Sequence, residues 1–123
     1  FTLATGSQVN VVFNSKIYDI LGEWTSTVSS FTALRAGYYN ITANLYIDNT
    51  ELGRTYQLST WYNQSTRIDY DIQSESLAGN KTLRVNTNYY LNAGDKIKFT
   101  LYHNATTANE SATGTFCCIT AIP

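Results

Sequence analysis

The segment FTALRAGYYNITANLYI, residues 31–47, decides which fold the chain can adopt. After its glycine the segment alternates apolar and polar residues, and one face would carry Tyr39, Ile41, Ala43, Leu45 and Ile47. A period of two is typical of a β-strand with one buried face. The opposite face carries tyrosine, asparagine and threonine instead of the charged residues usual on a wet strand surface. The segment therefore predicts a strand whose outer face has a role of its own.

The length and composition of the chain fit one globular domain. Its 123 residues are 43% hydrophobic, which is enough for a core, and 14% charged, against about 25% in typical soluble domains. The formal net charge is −1 and the basic residues are scattered, so there is no basic stripe for nucleic acid. No apolar run approaches the roughly 18 residues that a bilayer span requires. We expect a single domain over residues 1–123, the C-terminal head of a longer chain, without nucleic-acid binding or membrane insertion.

Alternating segments recur along the chain, with turn residues between them and no helical pattern. They cover residues 56–62, 67–72, 83–91 and 97–101. Strands in this order predict an all-β fold, a two-sheet antiparallel jelly-roll sandwich of about ten strands. The closing segment, residues 115–122, is apolar on both faces and therefore predicts a covering partner, most simply another subunit.

The segment 67–72 has acidic residues that could carry chemistry. Alternation would place Ile68, Tyr70 and Ile72 on one face and Arg67, Asp69 and Asp71 on the other. Paired carboxylates can act in acid/base catalysis, but their alternation with an arginine favours a solvated salt-bridge ladder. These two carboxylates, or Asp48, Asn49 and Glu51 in one loop, could also supply oxygen ligands to calcium. Calcium is thus left open, and no other cofactor is expected.

The remaining reactive side chains form no catalytic or zinc-binding pattern. The adjacent Cys117 and Cys118 would close a strained ring if they were joined, so we expect one thiol in the core and the other in a second buried seam. The only histidine, His103, lies at a predicted strand end and is expected in a loop or at the surface. There is no nucleophile elbow and no phosphate loop. The sequence predicts no enzymatic activity.

Three segments resemble the C1q/TNF-like jelly-roll superfamily, in a microbial or viral member. SSFTALRAGYYNITANLYI resembles its signature strand, with Phe31, Gly37, Tyr39 and Ile41 at the matching positions. LNAGDKIKFTLY resembles the penultimate strand and its turn, and TGTFCCITAI resembles the closing strand, in which Phe116 stands for the family's aromatic residue. The chain departs from the pattern where Ile41 replaces an aromatic residue and Cys118 replaces a common glycine.

The resemblance implies a ten-strand jelly roll that assembles as a compact homotrimer, with one sheet of each subunit near the threefold axis. A face of tyrosine, asparagine and threonine can be buried there while each polar tip finds a hydrogen bond. An ordinary half-exposed strand surface is the alternative for its tyrosines. The expected trimer interface comprises Tyr38, Tyr46, Tyr90, Tyr102, Phe116 and Cys118.

A second group of residues suggests a ligand-binding site. Trp61, Tyr62, Asn63 and Arg67 place aromatic rings, an amide and a guanidinium near one turn, a combination suited to stacking on sugars or to protein contact. The alternative is that Trp61 belongs to the core or to a subunit seam. Asn-x-Ser/Thr triplets give four loop-proximal glycosylation candidates: Asn63, Asn80, Asn104 and Asn109. A fifth triplet begins at Asn40, in the middle of a strand, where a glycan is not expected.

Together these features predict a non-enzymatic, trimeric head domain on an extracellular or virion surface, as part of a fibre, spike or capsid decoration. It would attach to a cell-surface glycan or protein receptor by multivalent binding. Two alternatives are a purely structural module that trimerises and stabilises a particle, and a secreted C1q/TNF-like ligand for a receptor.

Overall fold

In a computed structural model, the chain is described at residues 9–10, 24–25, 30–50, 52–74, 79–105, 109–110 and 116–122. These residues form ten strands and no helix: β1 (Val9–Asn10), β2 (Trp24–Thr25), β3 (Ser30–Thr32), β4 (Gly37–Thr50), β5 (Thr55–Tyr62), β6 (Thr66–Ser74), β7 (Gly79–Leu91), β8 (Lys96–His103), β9 (Asn109–Glu110) and β10 (Phe116–Ala121). The prediction of an all-β sandwich is confirmed. Among the described residues, no helix has the length and hydropathy of a membrane span.

The described strands form two antiparallel sheets. The four-stranded sheet has the order β10-β4-β7, and β9 continues along the β10 edge of β4. The six-stranded sheet has the order β2-β3-β8-β5-β6, and β1 continues beside β3 along β8. Most neighbours in each sheet are distant in sequence, which is the arrangement of a jelly roll.

The core lies between the two sheets and follows the predicted alternation. In β4 the side chains of Tyr39, Ile41, Ala43, Leu45 and Ile47 are all buried. On the same side of this sheet, β7 contributes the buried residues Leu83, Val85 and Leu91. The six-stranded sheet covers them with Tyr56, Leu58, Ile97, Phe99 and Leu101. Burial of alternate residues on both sheets is expected when two sheets, each with one solvent-exposed face, pack face to face.

The expected surface position of His103 is wrong. This residue ends β8 on its inner face, is fully buried, and stacks on Tyr56 with ring centroids 6.1 Å apart and an interplanar angle of 17°. The alternation that buries Phe99 and Leu101 continues by one more step, so the strand end lies inside the core instead of at its rim.

The expected face of β6 is also wrong in part, because a β-bulge interrupts its pairing with β5. Thr60 pairs with Asp69 and Trp61 pairs with Arg67, which leaves Ile68 as the extra residue. Ile68 packs against the core, whereas Tyr70 and Ile72 are 52% and 53% exposed on the outer face. An extra residue reverses the inward and outward alternation on one side of the bulge.

The acidic residues of β6 form no salt-bridge ladder with Arg67. The guanidinium of Arg67 lies over the ring of Tyr70, 4.5 Å from its centroid. Asp69 Oδ2 accepts the backbone N–H of Asn86 at 2.9 Å, and Asp71 Oδ2 accepts that of Arg84 at 2.9 Å. Both donors lie on the edge of β7 that faces away from β4. Two carboxylates of one sheet therefore cap backbone groups at the edge of the other.

We predict that replacing both carboxylates uncaps this edge. The double variant D69A/D71A should lower the free energy of unfolding by roughly 1–3 kcal/mol, since two charge-assisted hydrogen bonds at a partly exposed site are lost. Hydrogen exchange should become faster at the amides of Arg84 and Asn86 but not at those of Leu83 and Val85, which point to β4. The variant D69N/D71N keeps an acceptor oxygen and should lie in between. Unchanged exchange at both capped amides would contradict the caps.

Candidate interaction surfaces

The outer face of the four-stranded sheet is a layer of hydroxyl, amide and phenol side chains. The register aligns them across β4 and β7 in the pairs Tyr38–Tyr90, Asn40–Asn88, Thr42–Asn86, Asn44–Arg84 and Tyr46–Thr82. Cys118 and Thr120 of β10 lie beside Thr42 and Asn40. Arg84 is the one charged residue among these aligned positions. The face is thus unusually poor in charge for a surface.

The polar centre of this face is hydrogen-bonded within itself. Asn40 Nδ2 donates to the Oδ1 atoms of Asn88 at 2.8 Å and Asn86 at 3.1 Å. The hydroxyl of Thr42 lies 3.0 Å from Asn86 Oδ1 and 3.1 Å from Asn40 Oδ1. Beside this group, Arg84 Nε donates to Asn44 Oδ1 at 2.8 Å, and Asn44 is only 7% exposed. Desolvation of polar groups that are already paired in this way costs less free energy, because they keep their hydrogen bonds when water is removed.

One end of the same face is aromatic and exposed. The rings of Tyr38 and Tyr90 meet edge to face, with centroids 5.3 Å apart, and are 59% and 46% exposed. Ile122, 41% exposed, is tied to this end because its N–H donates to Tyr38 O at 2.8 Å. A shallow cleft beside them is lined by Arg35, Ala36, Gly37, Tyr38, Tyr39, Ala121 and Ile122. This end offers apolar area without a covering element among the described residues.

The two cysteines divide between the faces of β10. Cys117 points into the core, and burial raises the pKa of its thiol to about 12, with the neighbouring Cys118 contributing. The prediction of one core thiol is confirmed. Cys118 is half-buried on the outer face, opposite Thr42. A buried, protonated thiol is unreactive, so any thiol chemistry at this strand belongs to Cys118.

The structure brings most, but not all, of the predicted interface residues together. Tyr38, Tyr46, Tyr90 and Cys118 lie on the outer face of the four-stranded sheet. Phe116 pairs with Asn44 at the same sheet, and its side chain lies outside the described residues. Tyr102 lies on β8, opposite Gln57, in the other sheet.

The four predicted ligand-binding residues also separate into two pairs. Trp61 and Arg67 are cross-strand neighbours on the outer face of the six-stranded sheet. Tyr62 turns inward, packs on Tyr89 with centroids 5.2 Å apart, and contacts the core. Asn63 begins the turn between β5 and β6, where it and Gln64 adopt left-handed backbone angles of φ 48° and 70°. Asparagine tolerates this region, which explains its place in the turn.

Tyr62 and Asn63 both bind Asp95, in the turn between β7 and β8. The Tyr62 hydroxyl donates to Asp95 Oδ2 at 2.8 Å, and Asn63 Nδ2 donates to Asp95 Oδ1 at 3.1 Å. The backbone N–H of Asn92 donates to the same carboxylate at 2.8 Å, and Lys96 N–H donates to Asn63 Oδ1 at 2.8 Å. This carboxylate clasp joins two turns at one end of the sandwich.

The clasp shifts the pKa values of both acidic partners. Hydrogen bonds from Asn92 N–H, the Asn63 amide and the Tyr62 hydroxyl lower the pKa of Asp95. The hydrogen bond from the Tyr62 hydroxyl to Asp95 raises the pKa of Tyr62, with further contributions from burial and the Asp95 charge. The Asp95–Tyr62 pair is therefore held as carboxylate and neutral phenol.

The predicted glycosylation and calcium residues occupy varied positions. Asn63, Asn80 and Asn104 are exposed, although Asn104 Oδ1 accepts Thr55 N–H at 2.8 Å, and the side chain of Asn109 lies outside the described residues. The calcium loop stays a prediction, because Glu51 and the side chain of Asn49 lie outside the described residues. Within the described ranges, no three His, Cys, Asp or Glu side chains cluster as metal ligands would.

Sequence reasoning missed the outward-facing residues that surround Trp61. Lys98 pairs with Trp61 from β8, and Tyr70 lies beside Arg67 on β6. Their sequence signal was weak, because the residues come from three segments and the bulge conceals the phase of β6.

Comparison with solved structures identifies the fold of the chain. No protein-family model matches the chain, and no curated protein matches it by sequence. Among solved structures, murine APRIL matches with a TM-score of 0.67 and 17% identity over 98% of this chain and 96% of that one. The Eiger TNF of S. frugiperda matches with a TM-score of 0.62 and 14% identity over 81% of this chain and 68% of that one. The chain therefore has the C1q/TNF-like jelly-roll fold that its sequence resembles.

We predict an acid-dependent loss of stability that depends on Asp95. Because folding lowers the pKa of Asp95, its contribution is present above the unfolded pKa near 3.8 and is lost as pH falls through the folded value. Urea unfolding between pH 7 and pH 2 should show a shallower acid decline for D95N than for the wild type. The variant Y62F, which removes one donor, should also reduce the decline. Parallel pH profiles in wild type and D95N would contradict the clasp.

Proposed function

We propose that this chain is a non-enzymatic attachment module that forms a homotrimer through the outer face of its four-stranded sheet. Its exposed surfaces would then bind a receptor, either a glycan or a protein, in three copies at once. The C1q/TNF-like fold supports the trimer, since the sequence resemblance implies that assembly. Burial of His103 removes one candidate catalytic group, because its imidazole lies in the core, away from any dissolved substrate.

The observation that carries the proposal is the chemistry of the outer face of the four-stranded sheet. Its polar centre is internally hydrogen-bonded and its aromatic end is exposed, a pattern suited to contact with a second protein surface. Tyrosine is enriched in such contacts because it buries much area and keeps a polar tip. The single aligned charge, Arg84, is already bonded to Asn44, so few charges would be desolvated.

A trimer makes a weak site effective. Three identical sites on one rigid particle bind a dense surface with far higher avidity than one site, provided that they face it together. The low charge, the tyrosine- and asparagine-rich surface and the lack of a disulfide framework favour a virion or microbial surface over a secreted animal ligand. We therefore place the module on a fibre, spike or capsid decoration, outside the cell.

We predict that the purified chain has three times the 13.8 kDa mass of one copy in light scattering. The double variant Y38E/Y90E should dissociate the trimer, because like charges would be buried at the aromatic end. The matched control L52E places a charge at an exposed apolar residue of the turn between β4 and β5 and should remain trimeric. A thiol reagent should modify Cys118 slowly in the trimer and quickly in Y38E/Y90E. A folded wild-type monomer at high concentration would overturn the proposal.

We further predict that attachment requires the trimer. Labelled wild-type protein and L52E should bind host cells, whereas folded Y38E/Y90E should bind at least about tenfold more weakly through loss of avidity. Flow cytometry at matched chain concentration measures the difference. A verified trimer that binds no cell surface would favour the purely structural alternative, and binding that is equal for monomer and trimer would refute the multivalent mechanism.

A further inference from the structure

The outer face of the six-stranded sheet carries a cation–aromatic–cation row. Trp61 of β5 pairs with Arg67 of β6 on one side and with Lys98 of β8 on the other. Since neighbouring strands lie about 4.8 Å apart, the two cationic residues begin about 10 Å apart, on either side of one indole. Three separate segments converge on this row, and the turn at Asn63 and Gln64 lies beside it, where β5 continues into β6.

The indole of Trp61 is fixed along the sheet instead of standing away from it. Its Nε1 donates to Thr100 Oγ1 at 2.8 Å, and Thr100 is two residues beyond Lys98, the direct partner of Trp61. Ser59 and Thr100 face each other on this outer surface, yet they are only 1% and 4% exposed. Larger neighbours must cover them, and Trp61 is bonded to one of the two. A ring held in this way offers a flat, preorganised stacking platform.

The charge around the platform has one sign. The outward positions of β3, β5, β6 and β8 carry Arg67, Lys96 and Lys98 but no aspartate or glutamate. Lys96 Nζ donates to Thr32 Oγ1 at 3.0 Å, while Arg67 lies over Tyr70 without a hydrogen bond to another described residue. Three of the eight basic residues of a chain with net charge −1 are thus concentrated on one face. Such a face attracts an anion.

We propose that the row Arg67–Trp61–Lys98 binds an anionic saccharide, a sugar that carries a carboxylate or a sulfate. The apolar side of a sugar ring would stack on the indole, and the acidic group would pair with the guanidinium or the ammonium. The inference rests on the proposed attachment function and names the ligand class of its receptor. It also requires a face that the trimer leaves open, and this face belongs to the sheet opposite the proposed trimer contact.

Sugar fits the row better than a peptide strand or an apolar partner does. The centre of the row is Trp61 on β5, which is paired with β8 on one side and β6 on the other, so the indole lies away from any free backbone edge for strand addition. Its two cations flank the ring, whereas an apolar partner would leave them buried and unpaired. An acidic group on a ring sugar satisfies both features in one small ligand.

The test uses the trimeric protein and three defined sugars: 3′-sialyllactose, a sulfated lactose, and lactose as the uncharged control. Titrations followed by ¹⁵N–¹H NMR should shift the indole N–H signal that the variant W61L removes. At least one anionic sugar should bind about tenfold more tightly than lactose, which is the effect of one charge-assisted pair. Comparison of the carboxylated and sulfated sugars identifies which acid the site prefers.

Charge-removing variants then test whether Arg67 and Lys98 bind the acidic group of the sugar. R67Q/K98Q should weaken binding of the preferred sugar by about tenfold or more and reduce its salt dependence. The control R54Q removes a cation from an exposed turn elsewhere and should bind as the wild type does. The site is refuted if neither anionic sugar binds, if lactose binds equally well, or if R67Q/K98Q leaves affinity unchanged.

The two proposals can fail separately. A trimer that attaches to cells but binds neither anionic sugar keeps the attachment function and refutes the ligand class. A monomeric protein whose Trp61 indole signal still responds to an anionic sugar refutes the trimer and keeps the site. Cell attachment that persists after enzymatic removal of sialic acid and sulfate points to a protein receptor and also refutes the anionic saccharide.

Discussion

The antiparallel ladder between β4 and β7 is the constraint on which the rest of the structure depends. It aligns the two strands from Gly37–Leu91 to Ile47–Lys81 without interruption, and an irregularity occurs only before Thr50–Gly79. This register decides which side of β4 supplies the core and which side supplies the charge-poor outer face. A slip by one residue would bring Asn40, Asn44 and their neighbours into the sandwich and expel its leucines. The large cost of that exchange holds both faces in place.

The two outer faces of the sandwich differ in chemistry, and this difference separates their roles. Apart from Arg84, the four-stranded sheet presents neutral polar groups, several of which are hydrogen-bonded to one another, together with exposed tyrosines. The six-stranded sheet presents cations around an indole that is fixed to Thr100. Because the sheets lie back to back, a partner that covers one face does not obstruct the other. Association and recognition can therefore change independently through substitutions on different strands.

Much of the fold could be predicted from the sequence, because its alternation is strong where strands have one buried face. The period of β4 identified Tyr39, Ile41 and Leu45 as core residues, and the closing strand correctly placed Cys117 inside. The prediction failed at β6, where the bulge at Ile68 breaks the period and the aspartates bond to the backbone of β7. It failed again at His103, which was expected in a loop or at the surface because it is polar and ends a strand, but which is buried in the core. The association of Trp61 with Lys98 depends on a long-range pairing that local pattern cannot reveal.

The carboxylates of Asp69 and Asp71 have a consequence for crowded assemblies. An edge strand with unpaired backbone amides is a template on which another chain can add a strand, and that process leads to open-ended aggregation. Here the amides of Arg84 and Asn86 are already occupied by side chains of the same molecule. Negative charge along that margin would also repel the equivalent margin of a neighbouring copy. Many copies could then be packed at high local density without polymerising through their sheets.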